Sequence, residues 1–202
     1  MTIGIALKDR KNNQIIIGTD RQVTHGEDII SVIPDKKFVC KELKIVDGYC
    51  NHIDTHEIYF IFAGWGFLQG FMKHTFEIPD MNENQDFIEY LYNNLLECFR
   101  QQLLDKKLLG TSNDKFRSES NVIIVYDGEI YELDSNFGVN QVKEFVAIGS
   151  GWKVAIGSLY TNLHFHPYLD AEEMVRQAII TCGVNTVYCD TNVDLKIIDY
   201  VG

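Results

Sequence analysis

Residues 2–24 read TIGIALKDRKNNQIIIGTDRQVT, and the expected fold follows from this stretch. An apolar run over residues 3–8 and an isoleucine-rich run over residues 14–19 lie on either side of the polar segment 9–13. Short apolar, β-branched runs that are separated by a polar turn are typical of paired strands. We therefore predict an antiparallel β-hairpin at the very start of the sequence.

Further strands are predicted wherever similar runs are bounded by turn residues. They fall at residues 37–40, 43–46, 57–63, 145–148 and 193–200. The run 57–63 is almost entirely apolar, which favours burial on both of its faces. Residues 121–126 and 129–133 flank Asp127-Gly128, a pair that forms tight hairpin turns. This part of the chain therefore predicts a second hairpin.

Helices are predicted from apolar spacing and from capping signals. One begins near Phe67, and a longer one covers residues 84–107, where apolar residues recur every three or four positions. A third follows Ser150, whose hydroxyl we expect to cap it, and continues to about residue 163. A fourth begins after Asp170, which heads a variant of the capping box.

The predicted order is strands, two helices, strands, two helices and a last strand. This order is typical of an α+β fold, and we expect a four-layer αββα sandwich in which two antiparallel sheets lie between outer helices. We expect residues 1–202 to form a single domain. The polar stretch 110–120 then joins two halves of that domain.

The charge balance excludes two classes of function. Lys and Arg number 18 against 29 Asp and Glu, which gives a formal charge of −11. So acidic a chain repels a phosphate backbone and an anionic membrane surface, so we expect no nucleic-acid or membrane partner. The longest nearly unbroken apolar run, 58–72, is too short and too rich in glycine to span a bilayer.

Cysteine and histidine usage favours a reducing compartment and gives no metal signature. The chain has five scattered cysteines without a CxxC pair, and its N-terminus lacks the features of a signal peptide. We therefore expect a cytoplasmic protein with free thiols. His52 and His56 could share a metal only on a helix, and their surroundings predict a loop instead.

Six short motifs occur in a fixed order along the chain. They are Thr2-Ile3, GTDRQVT at 18–24, Lys36-Lys37-Phe38, Phe62-Ala63-Gly64, AIGSG at 147–151 and Asp190-Thr191-Asn192. On these motifs the chain resembles the N-terminal nucleophile (Ntn) hydrolases, specifically proteasome β-type subunits. Among those it is most similar to the HslV (ClpQ) type of peptidase from bacterial two-component ATP-dependent proteases. The resemblance covers nearly the whole chain and implies a threonine endopeptidase.

The resemblance makes Thr2 the nucleophile once Met1 has been removed. A threonine hydroxyl is a weak nucleophile near neutral pH and needs a base. A free α-amine on the same residue titrates at about 7.7–8.0, close to working pH, and can act as that base. One residue then supplies both groups, and peptide hydrolysis requires no cofactor.

The same resemblance assigns supporting roles to four other residues. Lys37 supplies a positive charge beside Thr2, and Asp20 holds that lysine and keeps it charged. The backbone N–H of Gly64 stabilises the tetrahedral oxyanion. Ser150 hydrogen-bonds near the amine and helps to move its proton.

Three further residues match substrate-binding positions of the family. The backbone of Thr24 is expected to pair with substrate as an added strand. Phe62 and Gly66 match positions that line the primary side-chain pocket. A phenylalanine at that place is consistent with a preference for apolar substrates.

Two departures from the family pattern concern a lysine and an aspartate. Lys36 and Lys37 are adjacent, and either can be the catalytic lysine; we choose Lys37 because the apolar strand residue follows it directly. The aspartate that follows the last long helix in proteasome β subunits is replaced here by Val184-Asn185-Thr186. The HslV type also lacks it and binds a monovalent cation such as Na⁺ on backbone carbonyls, for which the matching residues are Gly183, Thr186 and Cys189.

The resemblance also implies assembly. We expect a hexameric or heptameric homo-oligomeric ring, stacked on a second ring and supplied with polypeptide substrate by an AAA+ ATPase that unfolds it. The helix after Gly64, with Phe67, Phe71 and Met72, is a candidate for ring contacts. Two alternatives remain open. One is a non-catalytic structural ring subunit that retains Met1, and the other is an amidohydrolase of small amides.

Overall fold

The computed structural model describes residues 2–25, 28–32, 36–64, 66–106 and 120–201. Its described residues form two main sheets that pack face to face, with helices on both outer surfaces. Both sheets are antiparallel except for one short edge strand, Met81–Asn82, which pairs in parallel. The predicted four-layer αββα class is therefore confirmed. Gly26 and Trp65 lie outside the described residues, as does most of the polar stretch 110–120.

The first sheet has four strands and contains the predicted N-terminal hairpin. Its strands lie in the order β11-β1-β2-β12. Their bounds are Ile3–Asp9 (β1), Gln14–Asp20 (β2), Phe145–Gly149 (β11) and Val193–Asp199 (β12). In the hairpin Leu7 lies opposite Ile16, so the predicted antiparallel pairing is confirmed.

The second sheet has six strands in the order β10-β9-β8-β6-β5-β7. Their bounds are Phe38–Val46 (β5), His52–Ala63 (β6), Met81–Asn82 (β7), Asn121–Tyr126 (β8), Glu129–Leu133 (β9) and Val139–Val142 (β10). The predicted β8–β9 hairpin is confirmed, and both of its turn residues, Asp127 and Gly128, have the positive φ that this turn needs.

Two of the predicted strands differ from the observed ones. The short strands predicted at 37–40 and 43–46 are one continuous strand, β5, which pairs along its length with β6. The loop predicted around His52 and His56 is wrong, because both residues lie in the exposed first half of β6. Pairing with β5 supplies the backbone hydrogen bonds there, so no apolar run is needed to define the strand.

A small two-stranded hairpin lies between β2 and β5 in the sequence. It consists of Gln22–His25 (β3) and Asp28–Val32 (β4). No strand was predicted between residue 24 and residue 37, whereas β4 occupies part of that segment. The strand Gln22–His25 extends the chain directly after β2 and carries Thr24.

The described helices occupy the two outer layers. They are Gly66–His74 (α1), Phe87–Tyr90 (α2), Glu97–Asp105 (α3), Trp152–Phe165 (α4) and Ala171–Asn185 (α5). A π-helical turn, Leu91–Leu96, joins α2 to α3, so the helix predicted over 84–107 is present but starts at Phe87 and is not regular. As predicted, Asp170 caps α5 through its side chain, which accepts from the backbone N–H of Glu173.

Three buried clusters fill the spaces between the four layers. One lies between the six-stranded sheet and helices α1–α3, a second between the four-stranded sheet and helices α4–α5, and a third between the two sheets. Phe71 and Met72 of α1 belong to the first cluster and are each 3% exposed, so proposing them as ring contacts was wrong. No helix within the described ranges is long and apolar enough to cross a membrane.

Candidate active site

Thr2 lies at the start of β1 with its side chain directed between the two sheets. Strand alternation places it on the same face as Gly4 and Ala6, which contact residues of the layer between the sheets. The side chain is 6% exposed. Its hydroxyl donates to Asp20 Oδ1 and accepts from Lys37 Nζ, with the nitrogen 2.5 Å from Oγ1. The hydroxyl is therefore held between a carboxylate and an ammonium group.

Asp20 is the last residue of β2 and is completely buried. Besides the Thr2 hydroxyl, its Oδ1 accepts from Lys37 Nζ at 2.8 Å and from the backbone N–H of Ile3 at 3.1 Å. Its Oδ2 accepts from the backbone N–H of Asp190 at 3.3 Å. A buried carboxylate is stable only when it is paired and hydrogen-bonded, and these four donors meet that requirement.

Lys37 occupies the position that the motif predicted beside Thr2. It is 4% exposed, and Nζ donates to Asp20 and to the backbone carbonyl of Gln22, at 2.5 Å. Burial lowers the pKa of Lys37, and the charge of Asp20 opposes that change. Lys36, the alternative, is exposed and lies with Nζ 5.2 Å from the centre of the Phe38 ring.

Ser150 contacts the backbone of Thr2 and does not cap α4. Its N–H donates to the Thr2 carbonyl at 3.0 Å, and its hydroxyl lies 3.4 Å from the same oxygen. The predicted capping role is wrong, because Gly151 is the N-cap residue and no side chain caps that helix. The serine hydroxyl also lies 3.8 Å from the sulfur of Cys189, a buried thiol whose pKa is raised by burial.

A cleft of about 570 Å³ opens beside Thr2 and is lined by residues of both sheets. Gly64 and Ser150 line it together with Thr2, so three of the predicted catalytic residues share one cavity. Gly64 is exposed and has a φ of +132°, a conformation that favours glycine. The structure thus places Gly64 at the mouth of the cleft, where the motif predicted an oxyanion-binding N–H.

The three predicted substrate-binding residues have different surroundings. Thr24 lies in β3, where its backbone is paired with Ile29. Gly66 is the first residue of α1, is exposed and faces open space. Phe62 is 5% exposed and packs in the cluster beneath α1, stacked on Phe60, and it does not line the cleft beside Thr2.

The predicted cation ligands lie together after the end of α5. Gly183, Thr186 and Cys189 line a second cleft of about 510 Å³. The backbone at Gly183 is packed so tightly that an added Cβ would lie 2.5 Å from the carbonyl oxygen of Asp190. The described residues include no group of three His, Cys, Asp or Glu side chains placed to hold a metal. Ligation of a monovalent cation by backbone carbonyls of this loop stays a prediction.

Sequence analysis missed two residues that support the site. The carbonyl of Gln22 accepts from Lys37, and its side-chain amide donates to the carbonyl of Val187 at 2.8 Å. Asp190 supports Asp20 through its backbone N–H. Backbone contacts leave no signature in residue type, so the sequence carried no signal for them. Arg21 is fixed by two hydrogen bonds to Asp194, which is buried.

Comparison with known proteins agrees with this architecture. No protein-family model matches the sequence. A curated protein, "ATP-dependent protease subunit HslV" of Petrotoga mobilis, is 25% identical over 192 residues, which is 94% of either chain. Two structures of "Thiobacillus denitrificans BPH", one in complex with epoxomicin, superpose with a TM-score of 0.75 at 17% and 18% identity. They match all of this chain and 100% and 99% of theirs.

A eukaryotic HslV from Trypanosoma brucei gives a TM-score of 0.62 at 22% identity, over 98% of this chain and 100% of that one. The resemblance predicted from the motifs is therefore confirmed. The chain is similar in sequence to an HslV subunit over nearly its whole length, and it has the Ntn-hydrolase fold of the HslV and proteasome-like proteins.

Proposed function

We propose that this chain is a threonine endopeptidase subunit of a self-compartmentalising ring protease, with Thr2 as its nucleophile. The observation that carries the proposal is the buried contact of the Thr2 hydroxyl with both Asp20 and Lys37. Burying an ammonium and a carboxylate costs free energy, so a stable core alone gives no reason to place them around one hydroxyl. Perturbed, buried charges beside a cleft are typical of catalytic sites.

The proposed reaction starts once Met1 has been removed and the α-amine of Thr2 is free. The amine takes the proton of the Thr2 hydroxyl while Oγ1 attacks the carbonyl carbon of the scissile bond. Lys37 stabilises the negative charge that develops on Oγ1, and Asp20 holds the lysine at 2.8 Å. The protonated amine then gives its proton to the leaving amine of the substrate.

Gly64 and Ser150 complete the proposed reaction. Gly64 lines the cleft that contains Thr2, and its N–H would stabilise the oxyanion of the tetrahedral intermediate. Ser150 holds the Thr2 carbonyl through its own N–H and hydroxyl, and so fixes the residue that carries both reacting groups. Water that enters the cleft would hydrolyse the ester and restore the free hydroxyl.

Substrate would enter as an extended polypeptide that pairs with the β3 backbone at Thr24. Gly66, exposed at the start of α1, would border the pocket for the substrate side chain. Phe62 would contribute as the apolar floor of that pocket from within the core. Gly183, Thr186 and Cys189 would hold a monovalent cation that stiffens the loop contacting Asp20.

The proposed assembly follows from the need to control access to such a site. A nucleophile that attacks any exposed chain must be enclosed, and a hexameric or heptameric ring, stacked on another, would enclose it. The Petrotoga relative is called a subunit of an ATP-dependent protease, and we extend to this chain an AAA+ partner that unfolds substrates. A cytoplasmic location suits the five free thiols.

Two mass measurements and one digestion assay test this function. The intact mass of the purified protein should correspond to loss of Met1, and the protein should digest an unfolded protein such as reduced casein. Epoxomicin, with which the Thiobacillus protein was solved, should add to the peptide that contains Thr2.

Each alternative function predicts a different result. Retention of Met1 without any hydrolysis would identify a structural ring subunit. Hydrolysis of small amides without digestion of casein would identify an amidohydrolase. Either outcome contradicts the proposal.

A further inference from the structure

The cleft beside Thr2 extends to an acidic residue that the proposed reaction does not use. Besides Thr2 and Gly64, the cleft is lined by Glu132 on β9, Asn121 on β8 and Trp152 at the start of α4. None of these three belongs to a motif on which the resemblance rests. They form the wall of the cleft away from Asp20 and Lys37.

Strand register places Glu132 on the inner face of the six-stranded sheet. Glu132 lies opposite Ile123, which lies opposite Ile61, and both isoleucines belong to the core between the sheets. Ile130, two residues before Glu132 on the same strand, belongs to the same core. A carboxylate on this face is directed into the space between the sheets, at the end where they open into the cleft.

The carboxylate of Glu132 has no compensating charge among the described residues. It makes no hydrogen bond or ion pair there, although it is half-buried. Burial and the charge of Asp134 both raise the pKa of Glu132. A partly desolvated carboxylate with a second acid nearby costs free energy, and a cation in the cleft would offset that cost.

Trp152 supplies a second feature that suits a cation. Its side chain is 44% exposed and lines the same cleft. An indole face attracts lysine and arginine side chains. Lys153 Nζ lies 5.5 Å from the centre of this ring, but Lys153 does not line the cleft. The carboxylate of Glu132 and the exposed indole of Trp152 therefore both favour a positively charged group in this cavity.

We propose that Glu132 and Trp152 form a subsite that binds a lysine or arginine side chain of the polypeptide substrate. This inference rests on the proposed function, because it requires a peptide bound at Thr2. Two strand spacings separate β9 from β6, the strand that leads to Gly64, which is a distance of about 10 Å. An extended peptide covers that distance in about three residues. The basic residue is therefore expected within about three positions of the scissile bond.

The test compares the kcat/KM values of two matched peptides within each variant, so that a general loss of activity cancels from their ratio. Two reporter peptides differ only in one residue, lysine or norleucine, placed in turn at each of three positions on both sides of the scissile bond. At one position the wild type should cleave the lysine peptide with the higher kcat/KM. Glu132→Gln should reduce that ratio by about fivefold to tenfold, between the effects of an exposed ion pair and a charge-assisted hydrogen bond.

A charge reversal separates recognition from a structural role. Glu132→Lys should prefer a glutamate over a lysine at the same position, a gain that damage to the fold cannot produce. Glu83→Gln removes an exposed carboxylate outside the cleft and should leave every ratio unchanged. A wild-type enzyme without a basic preference, or one whose preference survives Glu132→Gln, overturns the subsite alone. A wild-type protein that cleaves no peptide overturns the proposed function and the subsite with it.

Discussion

Lys37 is the residue whose placement is hardest to explain by packing alone. It brings a charge into the protein interior, where burial lowers its pKa, and three oxygen acceptors surround its Nζ. Such an arrangement favours the charged form only as long as the acceptors stay in place. Placing the Lys37 amine in the interior beside the Thr2 hydroxyl therefore has a cost in stability.

Adjacent lysines give a matched test of this charge. Lys37→Met should lower kcat by at least about 100-fold, because it removes the cation that stabilises charge on Thr2 Oγ1. Lys36→Met removes an exposed lysine and should change kcat by less than about twofold. Steady-state digestion of one fluorogenic peptide checks both variants. Equal effects from the two substitutions would contradict the assignment.

The pH profile should report the coupling of Asp20 to Lys37. Asp20 raises the pKa of Lys37 by its charge and its hydrogen bond, so Asp20→Asn should lower that pKa further. If the ammonium form supports the reaction, activity is lost on the alkaline side at a lower pH than in the wild type. Asp190→Asn removes a smaller contribution and should cause a smaller shift. An alkaline limb that stays in place or moves to higher pH contradicts the coupling.

The identity and order of the residues predicted which of them form this site, whereas the contacts that each residue makes were harder to predict. The types and order of Thr2, Asp20 and a lysine were enough to bring the three into one prediction. The sequence favoured Lys37 over the adjacent Lys36 by position, and the structure places Lys37 Nζ beside Thr2 and leaves Lys36 exposed. The local pattern assigned the hydroxyl of Ser150 to a helix cap, and only the resemblance to a family predicted its contact with Thr2, a residue 148 positions away.

At the scale of elements, the end of β11 determines where Thr2 lies. Gly149 has a φ of +98°, and a Cβ added there would lie 2.0 Å from the Thr2 carbonyl oxygen. Only glycine allows this strand to end so close to Thr2. The start of β1 is thus held beside the cleft by its pairing with β11, a strand far along the sequence.

Gly149→Ala should lower the free energy of unfolding by about 1–3 kcal/mol, through backbone strain and the clash with Thr2. It should also lower activity, because Thr2 must move. Gly157→Ala is the matched control, since its Cβ would meet nothing within 4 Å in α4 and alanine stabilises a helix by up to about 1 kcal/mol. Urea unfolding measures the change in the free energy of unfolding for both variants. Similar stability changes in the two would contradict this account of Gly149.

Elements with a strong periodic pattern were predictable, and those held by pairing or tertiary contact were not. The hairpins 3–19 and 121–133 follow from apolar runs and turn residues. The polar half of β6 has no such pattern and is a strand because β5 pairs with it. The π-helical turn Leu91–Leu96 is equally invisible, since its residues have ordinary helix-forming spacing.

For the whole molecule, the exposed apolar surface indicates where copies would meet. The outer helices α4 and α5 carry exposed Tyr160, Phe165, Ile180 and Val184, whereas α1 buries two of the three residues first considered. Large apolar side chains grouped on an outer layer are typical of an interface. We therefore expect the α4–α5 layer, and not α1, to contribute contacts in the proposed ring.

Val184→Glu should reduce the mass of the assembled particle in sedimentation, because a buried charge destabilises an interface. Val201→Glu alters a valine that is 98% exposed near the end of the chain and should leave the mass unchanged. A wild-type protein that sediments at the 23.2 kDa of a single chain would contradict the ring. So would a Val184→Glu particle of undiminished mass.

The four-layer architecture itself was within reach of the sequence. Its strand and helix order predicted two sheets between outer helices, and three separate buried clusters correspond to the three spaces between layers. The sequence did not predict which helices expose apolar residues, because helix α1 and helices α4–α5 have similar composition. Only packing decides which of their faces is buried.

The account as a whole depends on the hydroxyl of Thr2, and its deletion is the most direct test. Digestion of reduced casein is to be measured for the wild type and for Thr2→Ala, in particles whose intact mass shows that Met1 is absent. Because the proposed attacking atom is Thr2 Oγ1, the variant should lose at least about 1,000-fold in rate while keeping its assembled mass. A Thr2→Ala particle that digests casein at the wild-type rate would contradict the central claim.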